Sequence, residues 1–402
     1  MKIQLTDQII ITEKHEYYSC LLDLCHLSKN LYNAALYNVR QQFFKDGSYL
    51  NYNTNNHNMV SENNVDYKAI PYAQCAQQIL RIVDKNYSSF FNSLKSPKVK
   101  KARIPKYKDK AGHFVTTYTN QCFRIINGHI RLKISKDNYI YIKTDKTDIQ
   151  QVRIIPHGNH LTIEIIYNKE YNLKEDNYRY ASIDLGVSNL CTLTTNVETN
   201  PIIYNGRQLK SINHYWNKKK AELQSKLEDG KHTSKRIKRI SYKRSNKVKD
   251  YLHKVSKSIV DNLVSNNINT LFIGKNTGWK KDANLGVVNN QNFVQIPYND
   301  LIQMLSYKCK LHGIDVRVIK ESYTSKCSFL DNEEVCKHRS YCGKRIKRGL
   351  FQSKSNKLIN ADVNGSYNIM RLGLQEINVT LDVGLRPENM RLVYNPVKIK
   401  IS

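Results

Sequence analysis

Hydrophobic residues recur at strand or helix spacing along most of the chain, and the pattern changes near residue 175. Before that point, weak alternation over residues 1–12 predicts one strand. Apolar residues at helical spacing predict helices over 14–45 and 72–94. The polar, asparagine-rich stretch between these helices, 47–65, predicts a loop.

Residues 113–170 show the shorter repeats that are typical of strands. The segment FRIINGHIRLKI predicts a hairpin with Asn127-Gly128 at its turn, and LTIEIIY predicts a further strand. The preceding segment SPKVKKARIPKYKDK is basic and contains two prolines, so it cannot be helical throughout. The chain up to residue 175 therefore predicts a small β domain with a helical insertion.

From residue 179 the pattern predicts an α/β layer. The predicted elements are strands at 180–185, 189–195 and 201–205, a long basic helical region over about 212–265, a strand at 270–274, a helix at 297–312 and a strand at 314–320. Gly313 stands where a glycine commonly ends a helix. Three antiparallel strands followed by helix, strand, helix and strand is the order of the RNase H-like fold.

Charge points to a polyanionic partner. Lys and Arg outnumber Asp and Glu by 64 to 34, which gives the 402-residue chain a formal net charge of +30. Nucleic acid is the leading candidate partner and an anionic membrane surface is the second. The membrane is less favoured because no stretch approaches the ~18–20 apolar residues of a spanning helix.

The basic residues are concentrated in the long predicted helical region. Between Lys218 and Lys249 there are 13 Lys and Arg residues against three acids, which exceeds what solubility requires. No signal peptide is predicted at the start of the chain. Nine scattered cysteines, an odd number, favour a reducing cytosol over a disulfide framework. We therefore expect a cytoplasmic protein that binds nucleic acid.

Three carboxylates lie where the predicted sheet would bring them together. Asp184 ends the first strand of the layer, Glu321 follows the last strand, and Asp362 precedes a helix. Carboxylates at one point repel each other, and a divalent cation relieves that repulsion. Mg²⁺ prefers oxygen ligands, and two such ions can serve phosphodiester cleavage. Each acid alone is more often a turn or helix-capping residue, so the prediction rests on the set.

Several segments in both halves of the chain together resemble the OrfB/TnpB proteins of insertion sequences. They are ASIDLGVSNLCTL, NFVQIPYNDLIQMLSYKCKLHGIDV, ESYTSK, INADVNGSYNIMR and, nearer the N-terminus, LSKNLYNAALYNVRQ, IPYAQCAQQILRIVDKNYSSFFNSLK and ARIPKYKDK. The resemblance implies a compact RNA-guided DNA endonuclease, of a kind often named transposase. Its implied partners are a guide RNA and a double-stranded DNA target, with the basic helix lining the channel for their heteroduplex.

The resemblance also implies an α+β multidomain fold. The implied parts are a wedge-type β domain at 1–12 and 101–175, a helical recognition insertion at 13–100, a RuvC-like nuclease domain of RNase H-like fold at 176–321 and 359–375, a degenerate zinc-ribbon-like insertion at 322–358, and a C-terminal tail at 376–402.

Matched residue by residue, Asp184 corresponds to the first RuvC aspartate of the family and Asp362 to the aspartate of the third motif. The second-motif glutamate is missing, because LFIGKN places Lys275 near that position. We expect Glu321 to replace it, as in similar proteins that combine a GKN second motif with an ESYTS segment. The predicted catalytic residues and Mg²⁺ ligands, in a two-metal site, are therefore Asp184, Glu321 and Asp362.

Two other functions remain open. If Glu321 only pairs with a nearby Lys or Arg, the protein would be a nuclease-inactive, RNA-guided DNA-binding repressor. The presence of both Asp184 and Asp362 favours activity. A strand-transfer transposase is less favoured, because no pair of histidines around a hydrophobic residue stands before a candidate catalytic tyrosine.

Four possible zinc ligands lie in the implied insertion, at Cys327, Cys336, His338 and Cys342. The family has two CxxC knuckles there, whereas this sequence has no CxxC pair. Structural zinc sites usually need such short paired spacings. We therefore expect a loop held by hydrophobic contacts without zinc. The basic segment that follows, GKRIKRGLFQSK, could contact a DNA or RNA strand.

Overall fold

The chain divides into two compact units. The computed structural model describes residues 1–97, 102–197, 199–276, 294–380 and 396–401. The N-terminal unit is Lys2–Glu170, and the C-terminal unit is Tyr171–Ser402 together with Met1. None of the helices within the described ranges is long and apolar enough to cross a membrane.

The N-terminal unit contains two antiparallel sheets and a group of helices. The strands are β1 (Lys2–Thr12), β2 (Thr116–Thr119), β3 (Phe123–Ile126), β4 (His129–Ser135), β5 (Asn138–Lys143), β6 (Ile149–His157) and β7 (His160–Glu170). The helices are α1 (Tyr18–Asp46), α2 (Tyr52–Ser61), α3 (Val65–Lys68) and α4 (Ala73–Lys95). One sheet has the order β1-β7-β6-β2 and the other β3-β4-β5.

The hairpin predicted from Asn127-Gly128 is confirmed as the connection between β3 and β4. Both turn residues have positive φ, 47° at Asn127 and 72° at Gly128. This is the backbone that a two-residue type I′ turn requires and that asparagine and glycine adopt at low cost.

The loop predicted over 47–65 is wrong, because α2 and α3 lie there. Asn51 and Asn64 cap the two helices, with their side-chain oxygens accepting hydrogen bonds from Thr54 N at 3.0 Å and Tyr67 N at 3.1 Å. Asparagine favours such capping positions. Two of the polar residues in this stretch therefore begin helices. The side chain of Met59 in α2 is buried.

The C-terminal unit is built on a six-stranded mixed sheet. Its strands are β8 (Tyr180–Leu185), β9 (Asn189–Thr195), β10 (Ile202–Asn205), β11 (Thr270–Gly274), β12 (Asp315–Ile319) and β16 (Val397–Ile399), in the order β12-β11-β8-β9-β10-β16. Strands β8, β9 and β10 are antiparallel, whereas β11 is parallel to β8 and β12 is parallel to β11. The predicted order of strands and helices is confirmed. The strand β16, parallel to β10, was not predicted.

The described part of this unit contains four helices: α5 (Arg207–Gln224), α6 (Lys235–Ser265), α7 (Tyr298–Leu311) and α8 (Ala361–Glu376). The basic helical region predicted over about 212–265 is confirmed as helical, but it consists of two helices, α5 and α6. Gly230 interrupts it with a φ of 80°, and the side chain of Ser234 then caps α6 by accepting from Ile237 N at 3.2 Å. After α7, Gly313 has a φ of 75°, which confirms its predicted role at the helix end.

Helix α8 packs across β8, β9 and β11. A polar contact sets its position, because Ser182 Oγ donates to Ser366 O at 2.7 Å and Ser366 Oγ donates to Ser182 O at 3.1 Å. Both serines are fully buried. Paired buried hydroxyl groups of this kind allow little displacement, because each broken bond would leave a polar atom unsatisfied. The start of α8 is therefore held at a defined place over the end of β8.

Residues between β12 and α8 form a small sheet of three short strands, β13 (Lys344–Lys347), β14 (Leu350–Gln352) and β15 (Leu358–Asn360). Its hydrophobic anchor is Phe329, whose ring stacks on Tyr367 of α8 with centroids 4.6 Å apart. Phe351 of β14 is also buried. The hydrophobic contacts predicted for this segment are therefore present.

Candidate active site

The first predicted acid, Asp184, faces α8 because of strand alternation. Ile183 and Leu185 are buried in the core on the opposite face of the sheet, whereas Ser182 and Asp184 share the face that α8 covers. Gly365 of α8 makes this approach possible. A Cβ atom at Gly365 would lie 2.9 Å from Asp184 Oδ2.

The second predicted acid, Glu321, lies two residues beyond β12. Strands β11 and β12 are parallel with Gly274 opposite Ile319, so both end at the same edge of the sheet. A Cβ atom at Gly274 would lie 2.5 Å from Glu321 Oε2. Lys275 extends the ladder, with its backbone N–H donating to Ile319 O at 2.9 Å. The carboxylate of Glu321 therefore lies against the end of β11, the strand that carries the altered second motif.

The third predicted acid, Asp362, lies in the first turn of α8. Asn360 caps this helix, with its side-chain oxygen accepting from the backbone N–H groups of Asp362 and Val363 at 3.0 and 3.2 Å. The carboxylate of Asp362 accepts from Asn189 Nδ2 at 2.6 Å and from Arg345 Nη2 at 3.3 Å. A capped helix start and two donors thus hold this carboxylate in place.

The charges of two of the acids act on the third, Asp184. Burial raises the pKa of Asp184 well above its usual range, and the charges of Glu321 and Asp362 raise it further, while Arg345 lowers it. Burial also raises the pKa of Glu321 to about 7. Glu321, Asp362 and Arg345 therefore all lie close enough to Asp184 to influence its charge state.

One buried carboxylate oxygen of Glu321 needs a hydrogen-bond partner or a cation. Glu321 Oε1 accepts from Asn276 Nδ2 at 3.4 Å, but Glu321 Oε2 is buried and has no hydrogen-bond partner within the described residues. A buried carboxylate oxygen without a partner is costly unless a cation or proton satisfies it. Hard oxygen donors of this type suit a divalent cation such as Mg²⁺.

The acids do not form a preassembled ligand cage. Within the ranges that the structure describes, no group of three or more His, Cys, Asp or Glu residues could hold a metal ion. The residues therefore fit a divalent cation in chemistry and in shared charge, whereas a complete ligand set would need the carboxylates to draw closer.

Three polar contacts of the acids were not predicted. Asn189 lies just beyond the LGVS turn, Asn276 follows Lys275 in the GKN segment, and Arg345 lies in the basic segment of the insertion. Asn189 and Asn276 both lie within motifs quoted from the sequence. Their closeness along the chain to Asp184 and Lys275 could therefore have identified them as contacts of the acids. No local pattern marked Arg345, because its contact with Asp362 depends on how β13 folds back.

The four possible zinc ligands have different surroundings. Cys336 Sγ lies 3.3 Å from His338 Nε2, and buried Cys327 donates from Sγ to Cys336 O at 3.5 Å. Cys342 is exposed. A buried carboxylate organises this segment, because Glu333 accepts from the backbone N–H groups of Ser328 at 2.6 Å and Cys342 at 2.9 Å.

We expect Glu333→Gln to lower the free energy of unfolding by about 1–3 kcal/mol. Glu333 is 6% exposed, and the amide nitrogen of a glutamine would face one of the two N–H donors. Urea denaturation measures the loss. The matched control is Glu334→Gln, an exposed neighbour, and an equal change in both variants would contradict the structural role of Glu333.

The raised pKa of Glu321 predicts a pH dependence of stability in metal-free protein. Its pKa of about 7 in the folded state exceeds the ordinary 4.5, so the folded protein holds this proton more tightly than the unfolded chain does. The free energy of unfolding should therefore decrease as pH rises through the window between these two values. Glu321→Gln has no such proton to release, and urea denaturation across this window should show a shallower decrease. Parallel curves for the two proteins would contradict the shifted pKa.

The fold and the site define a class of protein. It is a mixed α/β protein with acids at the carboxyl ends of the parallel strands β8 and β12 and with a helix packed across the sheet. The OrfB_IS605 family, described as a probable transposase, matches residues 164–280. The Cas12f1-like TNB domain family matches residues 298–369. These two segments of the chain are similar to the OrfB and TnpB-like families, which agrees with the predicted resemblance.

Curated proteins and a solved structure are similar to this chain as well. TnpB-like protein ORF457 of Acidianus two-tailed virus is 21% identical over 87% of this chain and 82% of its own length. TnpB-like protein MJ0751 of Methanocaldococcus jannaschii is 26% identical over 41% of this chain and 57% of its own length. The fold is also similar to that of a chain in the cryo-EM structure of the Cas12f1-sgRNA-target DNA complex. The superposition spans 88% of this chain and 82% of the Cas12f1 chain, with a TM-score of 0.60 and 16% identity. That last likeness shows a shared fold.

Proposed function

We propose that this protein is an RNA-guided DNA endonuclease that cuts its target by Mg²⁺-dependent phosphodiester hydrolysis. The observation that carries the proposal is the position of Asp184 at the end of β8, where Glu321 and Asp362 lie near enough for their charges to raise its pKa. The similarity to the OrfB_IS605 and Cas12f1-like families supports a nuclease, and the Cas12f1 structure of the same fold is a complex with sgRNA and target DNA. The net charge of +30 suits such polyanionic partners.

The proposed architecture assigns the catalytic acids to a RuvC-like domain of RNase H-like fold at 176–321 and 359–375. The strand order of the C-terminal sheet supports this assignment. The insertion at 322–358 takes the place of a zinc ribbon. The N-terminal unit is proposed as the wedge-type β domain with its helical recognition insertion.

In the proposed mechanism, Asp184, Glu321 and Asp362 would hold the divalent cations. Such cations, when bound, would supply Lewis-acid charge for phosphodiester cleavage. Asn189 orients the carboxylate of Asp362 through its 2.6 Å hydrogen bond.

Arg345 is proposed to contact the substrate phosphate near these acids. Its side chain is 49% exposed, so its guanidinium can reach a phosphate oxygen while it stays close to Asp362. Arg348 and Lys210 both donate to Ser188 Oγ, at 2.7 and 2.9 Å, which places two further cations beside the turn that follows β8. These cations would hold the scissile strand against the acids by charge-assisted hydrogen bonds.

The test uses the complex purified from cells that express the chain with its downstream flanking sequence. The substrate is a plasmid that carries the guide match behind randomised flanking bases. Wild type should cut it with Mg²⁺ and stop when the metal is chelated. Asp184→Asn should bind the matched plasmid but cut it at least about 100-fold more slowly, since even outer-shell partners of metal ligands cost 10–100-fold. If wild type binds the matched plasmid without cutting it, the endonuclease proposal is wrong and the repressor hypothesis remains.

A further inference from the structure

One face of the small β3-β4-β5 sheet is open to solvent. The pairing register places eight side chains on this outer face, namely Arg124, Ile126, His129, Arg131, Lys133, Tyr139, Tyr141 and Lys143. The alternate residues of β4 and β5 lie on the inner face. Four of them are buried, namely Ile130, Leu132, Ile140 and Ile142. The inner face therefore accounts for the folding of this sheet, and the outer face is available for a partner.

The outer face combines exposed aromatic rings with cations. Tyr139 is 37% exposed and Tyr141, two residues further along the same strand, is 48% exposed. The guanidinium of Arg131 lies 4.7 Å from the ring centre of Tyr139. The ammonium of Lys133 lies 5.9 Å from the ring centre of Tyr72, which precedes α4 and is partly exposed. The rings of Tyr139 and Tyr72 thus lie beside cations, and Tyr141 stands opposite Arg131 in the strand register.

Charge on this face has one sign. The stretch 123–143 contains a single acid, Asp137, and it lies in the turn between β4 and β5. Cross-strand neighbours such as Arg124 and Arg131 are both cationic and directly opposite each other, an arrangement that destabilises a sheet by itself. A polyanion bound on the face would relieve this repulsion.

We propose that the outer face binds an unpaired segment of RNA, with Tyr139 and Tyr141 stacking on its bases and the surrounding cations contacting its phosphates. Open sheet faces with aromatic side chains stack two or three splayed bases in other RNA-binding folds. A paired helix hides its bases, so a duplex would use only the cations. Folded RNA presents unpaired bases in loops without melting, whereas double-stranded DNA must first be opened.

This inference rests on the proposed function only in that an RNA is a partner of the chain. It makes no use of the three acids. Asp184→Asn should therefore leave RNA binding at this face intact. The endonuclease proposal is tested by cleavage and the RNA-binding proposal by RNA affinity, so the failure of one can be told from the failure of the other.

The experiment measures fluorescence anisotropy of full-length chain, freed of co-purified nucleic acid, without divalent metal. The probes are fluorescein-labelled 20-nucleotide oligouridine, oligothymidine of equal length, and a 20-base-pair RNA duplex. The double variant Tyr139→Ala/Tyr141→Ala should bind oligouridine at least about five-fold more weakly, because base stacking contributes about 1 kcal/mol or more per base. Duplex affinity should stay unchanged.

The matched control is Tyr139→Phe/Tyr141→Phe, which keeps both rings and should bind like wild type. Lys143→Gln should reduce the dependence of affinity on salt, because it removes one phosphate contact. Ultraviolet irradiation of the wild-type complex with oligouridine should attach a nucleotide to a peptide containing Tyr139 or Tyr141. Unchanged oligouridine affinity in the alanine variant, or an equal loss for the duplex, would overturn the proposal. Tighter, ring-dependent binding of oligothymidine would show that the occupant is a DNA strand, and the RNA assignment would be wrong.

Discussion

Glu321→Gln should lower the rate of target cleavage at least about 100-fold, on the scale known for groups around metal ligands, and leave target binding unchanged. Glutamine has nearly the same shape, so it should pack where Glu321 packs beside Gly274. It lacks the negative charge that the buried Oε2 atom supplies to a cation. Single-turnover cleavage of matched plasmid, with binding measured separately, checks this result.

The matched control is Glu376→Gln, an exposed glutamate at the end of α8, which should cut like wild type. A second arm combines Lys275→Glu with Glu321→Gln, returning an acid to the position of the family's second motif. If Glu321→Gln cuts at the wild-type rate, Glu321 is not the replacement acid. The repressor hypothesis would gain support only if wild type also failed to cut.

Gly365→Ala should lower cleavage about 100-fold without unfolding the protein. A Cβ atom at this position would lie 2.9 Å from Asp184 Oδ2, closer than real contacts allow, so the carboxylate must move. Misplacing a catalytic group by about 1 Å can cost about 100-fold in rate. Alanine is also a better helix former than glycine by about 1 kcal/mol, which offsets part of the strain in α8. Cleavage rate and melting temperature, measured on the same preparation, separate the two effects.

Gly158→Ala is the control for this substitution, because a Cβ atom there would meet nothing within 4 Å. It should leave both cleavage and melting temperature unchanged. A Gly365→Ala variant that cuts normally would show that the Asp184 carboxylate can be displaced without consequence, which would contradict its role as a ligand. A large fall in melting temperature would instead locate the effect in the packing of α8.

Local patterns predicted most elements of the C-terminal unit. Strand β8 and strand β11 are short apolar runs bounded by turn signals, and their ends fall where the hydrophobic pattern stops. The hairpin at Asn127-Gly128 follows from the left-handed backbone that these two residues tolerate. Such features depend on a few neighbouring residues, so the sequence contains them directly.

The structure differs from the predictions at two places where side-chain caps, and not the overall composition, decide where helices begin. Asparagine enrichment between α1 and α4 indicated a loop, yet Asn51 and Asn64 start helices because each accepts a backbone hydrogen bond three residues ahead. The break between α5 and α6 was missed for a related reason. Basic residues continue through it, and only Gly230 and the Ser234 cap mark the interruption.

The amino-acid sequence by itself determined the strand and helix order of the C-terminal unit, the family and the three candidate acids, because motifs and hydrophobic periods are local. Only the tertiary structure decided which groups meet those acids. Arg345 reaches Asp362 across 17 positions, and Asn189 reaches it across 173. Likewise, only the register of β3, β4 and β5 gathers cations and tyrosines on one face. Contacts between distant parts of a chain depend on how its elements pack, and no local pattern encodes that packing.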